Sequence, residues 1–133
     1  MKMKAGLFLA AALLLTGCGN NDDEIHYVKT SVLYDTLIDM YSNTDDYLGK
    51  NYHMVGTLYP TTDDDETFYS IYADGTNGQE GIGLELDWDD FSGFKDFDTI
   101  MVEGKIDRAT ATHDGKEITY LVLRVSKIEK RED

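Results

Sequence analysis

The chain has 133 residues, 12 Lys plus Arg against 26 Asp plus Glu, a formal charge of −14 and one cysteine, Cys18. One thiol excludes an intramolecular disulfide, and a chain of this length suits a single small domain. So negative a molecule repels phosphate backbones and anionic lipid headgroups, which sets nucleic acid aside as an expected partner.

In chain order, Lys2 and Lys4 form a basic start, followed by a twelve-residue run of Ala, Gly, Leu, Phe and a closing Thr over residues 5–16. That layout is the one of an export signal, and the run is short of the roughly 20 apolar residues a membrane-spanning helix needs. The segment closes on Leu15-Thr16-Gly17-Cys18, which resembles the lipobox of bacterial lipoproteins. The resemblance implies cleavage before Cys18, a diacylglycerol on its thiol, and a protein held on the extracytoplasmic side of the cell membrane by two or three acyl chains. Residues 1–17 are thus expected to be a signal peptide, and residues 18–30, rich in Gly, Asn, Asp and Glu, a lipidated tether. Removing residues 1–17 leaves ten Lys plus Arg against 26 acids, a formal charge of −16.

The folded domain is expected over residues 31–130. Ser31 is placed to cap a helix whose Leu33, Leu37, Met40 and Tyr41 fall on one stripe. Beyond Gly49-Lys50 the period changes to two, and Tyr52, Met54, Gly56 and Leu58 mark a strand that Pro60 is expected to end. Further strands are predicted over Phe68 to Asp74, Ile82 to Leu86, Asp98 to Asp107 and Ile118 to Val125. Hairpin signals lie at Asp63-Asp64-Asp65-Glu66 and His113-Asp114-Gly115-Lys116. Tyr52-x-Met54-x-Gly56-x-Leu58 and Ile100-x-Val102-x-Gly104-x-Ile106 each set a glycine where a strand bends sharply. Five short strands with glycine corners predict a mainly β domain, a small closed barrel preceded by one helix.

From Tyr47-Leu48-Gly49-Lys50 to Ile128 the chain also resembles the OB-type domain of small bacterial lipoproteins, which implies a five-stranded OB-like Greek-key barrel behind the N-terminal helix. The matching pieces are Gly49-Lys50, Val55-Gly56, Ala73-Asp74, Gly83-Leu84-Glu85-Leu86 and Val102-Glu103-Gly104. A Cys-Cys pair frequent in those relatives is replaced here by Gly78-Gln79, so no thiol-dependent role carries over.

Chemistry-bearing motifs are few. His26, His53 and His113 have no metal-ligand spacing, and neither a G-x-S-x-G elbow nor a phosphate-binding loop occurs, so no enzyme is expected. Asp63, Asp64 and Asp65 in the first hairpin loop, with Asp87 and Asp89 beside Trp88, are the candidate metal ligands; as hard oxygen donors they suit calcium, the one cofactor considered. Trp88, Tyr59 and Tyr69 are the candidate ligand contacts, because rings on an open OB face stack against ligands. The expected function is a lipid-anchored interaction module for an envelope protein or a small-molecule or glycan ligand. A calcium-binding envelope protein and a carboxylate-dependent glycan hydrolase are the alternatives.

Overall fold

A computed structural model describes residues 24–76 and 78–131. Its elements run β1 (Ile25–Tyr27), α1 (Leu33–Ser42), β2 (Asn51–Asp63), β3 (Glu66–Ala73), β4 (Ile82–Asp87), β5 (Thr99–His113) and β6 (Lys116–Lys130). Short 3₁₀ turns flank α1 at Thr30–Val32 and Thr44–Asp46.

Five strands close the barrel. Their order is β2-β3-β4-β6-β5, and β5 pairs back onto β2; the β4–β6 ladder is parallel and the other four are antiparallel. That connectivity is the Greek key of an OB-like barrel, as the sequence predicts. Alternation sends Met54, Leu58, Ile71, Leu84, Ile100, Val102, Ile106 and Leu123 into the interior, each at most 1% exposed. The helix supplies Leu33, Leu37 and Met40 to the same core. It is not capped by Ser31, which lies in the preceding 3₁₀ turn; α1 starts one residue after Val32, and no side chain caps it.

The two corner glycines have distinct tasks. Gly56 comes one residue before strand β2 hands over at Thr57 from β5 to β3. A side chain at Gly56 would meet Leu33 Cδ2 at 2.8 Å and Ile71 Cγ1 at 2.9 Å, so the missing Cβ lets α1 press its first leucine into the barrel. At Gly104 the β5–β6 ladder carries a bulge, and a Cβ would come within 2.4 Å of the Arg124 carbonyl oxygen.

Three segments depart from the sequence-based expectation. Ile25–Tyr27, placed in the tether by composition, forms β1 parallel to Asn51–His53. The first half of β2 has β5 on one side only, and β1 fills the other side. Strand β2 also runs through Pro60 to Asp63. The two-residue turn Asp64-Asp65, with φ of 50° and 70°, makes Asp63 and Glu66 a hydrogen-bonded pair, so Pro60 opposite Tyr69 falls on a non-bonded pair and needs no N–H. Finally, β5 and β6 continue beyond the barrel as a solvated arm to the turn at Asp114-Gly115.

Candidate functional site

With Leu58, Ile71 and Leu84 pointing inward, alternation turns Tyr59, Phe68, Ser70, Tyr72, Gly83 and Glu85 to the outer face of β2, β3 and β4. Register makes this one surface: Tyr59 pairs with Ser70, Ser70 with Glu85, and Tyr72 with Gly83. The Tyr59 ring stacks on Tyr72 at 4.4 Å and receives Phe97 edge-on at 5.5 Å. Phe97 is 61% exposed and has φ of 72°, a conformation bulky residues avoid. Leu58 holds it there: its C=O accepts the Phe97 N–H at 2.8 Å, and its N–H donates to the Asp98 carbonyl, also at 2.8 Å.

Beside these rings a cleft of about 600 Å³ opens between the β2–β3 and β5–β6 arms. Asp63, Asp64, Glu66 and Phe68 line one side, Ile118 and Tyr120 the other, with Glu85 and Tyr41 between them. The Tyr41 hydroxyl donates to the Gly83 carbonyl at 2.6 Å. Burial, and then the charge of Asp87, raises the Glu85 carboxyl above its ordinary value. Tyr41 and Tyr120 are raised in turn, each first by burial and next by Glu85. Negative charge and aromatic surface therefore coincide in this cleft. The face spans β2, β3 and β4, the first three barrel strands.

The candidate residues named from sequence separate into two places. Tyr59 belongs to the outer face, and Asp63 and Asp64 to the cleft, with Asp65 at the turn beside them. Trp88, Tyr69, Asp87 and Asp89 line a neighbouring cleft of about 660 Å³ at the end of β4. Trp88 is half-buried, its Nε1–H donating to the Asp90 carbonyl at 3.1 Å, and Tyr69 packs at 4.5 Å on Phe91. Asp87 is engaged by Arg124 at 2.8 Å, which also holds Asp107 at 3.1 Å. The sequence-based search missed Phe68, Tyr72, Phe97, Tyr41 and Glu85. The phase of alternation is the signal that finds them, once Ile71 and Leu84 are assigned inward.

Among the described residues, no group of three or more His, Cys, Asp or Glu is placed to hold a metal ion. His53 contacts Glu103 at 2.7 Å and lies under the Tyr27 ring, and His26 packs on Tyr52. Cys18 and the lipobox lie outside the described residues. Among those residues, no helix is long and apolar enough to cross a membrane.

No protein family and no curated protein matches the chain. Solved structures similar to it include the mitochondrial single-stranded DNA-binding protein of S. cerevisiae (18% identity, 61% of this chain and 93% of that chain, TM-score 0.37). A selenomethionine form of the same protein (16%, 61% and 93%, TM-score 0.39) is also similar. So is the small single-stranded DNA-binding protein of Streptomyces coelicolor (12%, 61% and 93%, TM-score 0.38). These names correct two expectations, one drawn from composition and one from the lipobox and barrel resemblances. The exclusion of nucleic acid is withdrawn, and with it the interaction module for an envelope protein or a small-molecule or glycan ligand. Net charge sums over the whole molecule and by itself excludes no partner from any one face.

Proposed function

We propose that the domain works by binding rather than catalysis, and that its ligand is an extended chain whose flat rings stack on the outer face of β2, β3 and β4. The carrying observation is the run of outward rings Phe97, Tyr59 and Tyr72, which continues to Phe68 at the mouth of the cleft. Each ring that stacks on a ligand ring contributes on the order of 1–3 kcal/mol. Two ring-bearing probes test this reading by fluorescence anisotropy at low salt: an oligothymidine, and a ten-residue peptide alternating Lys with Tyr. Binding of either probe is expected, weakened about tenfold or more by Phe68→Ala or Tyr59→Ala. Binding unchanged in both variants, or binding of neither probe, overturns it.

We propose also that Cys18 carries a lipid that holds the protein on the outer side of the cell membrane. The sequence supports this through the basic start at Lys2 and Lys4, the apolar run over residues 5–16 and the Leu15-Thr16-Gly17-Cys18 segment. Cys18→Ser is expected to move the protein from the membrane fraction and abolish labelling by a radioactive fatty acid. Unchanged fractionation with no acyl label in the parent chain refutes it.

A further inference from the structure

Over its first residues, 116–119, the β6 strand has one side that no other strand covers among the described residues. The turn at Asp114-Gly115 makes His113 and Lys116 a hydrogen-bonded pair, so along β6 the even-numbered residues 116, 118 and 120 bond to β5. Glu117 and Thr119 therefore point their N–H and C=O groups away from β5. The parallel ladder to β4 begins at Glu85 opposite Val122, two residues too late to use them, and among the described residues no backbone partner takes those groups.

What stops the ladder is visible. Continued by two residues, β4 would bring its Gly83 carbonyl toward β6, but that carbonyl accepts the Tyr41 hydroxyl at 2.6 Å. Tyr41 thus stands where the two strands would otherwise join. Beside the open edge, a smaller cleft of about 320 Å³ is lined by Tyr41, Thr44, Arg108, Thr119 and Tyr120. Ile118 on the edge strand is 44% exposed and faces the larger cleft with Phe68. An open edge carrying exposed apolar side chains is a template for a further strand, since backbone bonding supplies affinity and alternate side chains supply selectivity.

Charge decides the kind of strand. Asp63, Asp64, Glu66 and Glu85 line the cleft into which alternate side chains of the added strand would project, four carboxylates that the single Lys116 on the same face of the edge strand does not balance. Arg108 is paired with Asp45 at 3.1 Å and so does not offset them. Resting on the binding reading above, we propose that the Lys116–Thr119 edge of β6 accepts a basic, extended polypeptide segment as an added β-strand, its Lys or Arg side chains in the acidic cleft.

The experiment uses the full-length chain and three labelled probes. These are the ten-residue peptide alternating Lys with Tyr, the same peptide N-methylated at every second backbone amide, and an oligothymidine of ten nucleotides. The unmodified peptide is expected to bind at least tenfold more tightly than the methylated one, and to slow hydrogen exchange of the Glu117 and Thr119 amides. Thr119→Pro, which removes an N–H that β5 does not use, is expected to lose the peptide at least tenfold while the thermal transition is retained. Should that variant fail to fold, the methylated peptide still decides. Equal affinity for both peptides, or unaltered exchange at both amides, overturns strand addition and leaves ring stacking standing. Binding of the oligothymidine alone overturns it in favour of a nucleic-acid strand, and binding of no probe overturns both readings.

Discussion

At the scale of single residues, Phe97 stands out for combining a left-handed backbone with an exposed ring. A non-glycine residue there costs about 1–2 kcal/mol, while the edge contact with Tyr59 returns part of that. Substitution separates the two terms. Phe97→Ala keeps the strain and loses the ring, so it should be less stable than Phe97→Gly by about 1 kcal/mol in urea unfolding. Equal stabilities would mean that backbone strain is not what sets this position apart. The neighbouring rings show why the outer face was hard to read from sequence. Tyr69 and Tyr72 are both β3 aromatics three residues apart, yet Tyr69 packs partly buried against the core and Tyr72 stands outside beneath Tyr59. Their difference rests on which phase of the alternation points inward, and only the packing of Ile71 decides that.

At the scale of elements, the bulge at Gly104 and the end of α1 carry the sharper expectations. Gly104→Ala would drive a methyl into the Arg124 carbonyl, a backbone group with little room to yield. Destabilisation of about 1–3 kcal/mol is expected from denaturant unfolding. At the helix end, the Asp39 carboxylate accepts from the Tyr47 hydroxyl and from Asn43 Nδ2, the latter at 2.6 Å. These bonds, Tyr47 first, hold Asp39 below its ordinary 3.8, and the same pairing pushes Tyr47 up to about 12. A lowered carboxyl contributes stability that is complete above 3.8 and is lost as pH falls through its folded value. A raised phenol contributes stability that is complete below 10 and is lost as pH rises through about 12. Both limbs should flatten in Asp39→Asn when unfolding free energy is followed against pH; unaltered limbs would show that the pairing does not bear on stability. The glycine corners and both hairpin turns were legible because spacing and turn chemistry are local. The added strand β1 and the extension of β5 beyond Asp107 were not. Beyond Asp107 the apolar face of β5 holds only Ala109 and Ala111, too small to mark a strand, and a three-residue strand such as β1 is defined by its partner.

At the scale of the whole molecule, the formal charge of −14 opposes compaction. The ion pairs of Arg124 with Asp87 and Asp107 and of Arg108 with Asp45 are exposed, so their loss to screening is small. Relief of self-repulsion should win, and the melting temperature is expected to rise between about 20 and about 300 mM NaCl. A fall over that range would show that the exposed pairs outweigh the net charge. Strand order was legible only through the resemblance of the whole pattern to an OB-type domain, not from any one strand. The crossover that sets β6 beside β4 joins residues nearly forty positions apart, as Glu85 opposite Val122 shows. Nothing in the local pattern of either strand names its neighbour.

Pro60 has a bearing on how β2 and β3 find each other. It sits opposite Tyr69, where the ladder asks for no donor. A slip of one residue would carry it to a bonded position it cannot serve, and would also turn Leu58 outward and Tyr59 inward. One imino acid thus acts as a ratchet tooth for the hairpin, penalising the misaligned pairing that would scatter the outward rings over both sides of the sheet.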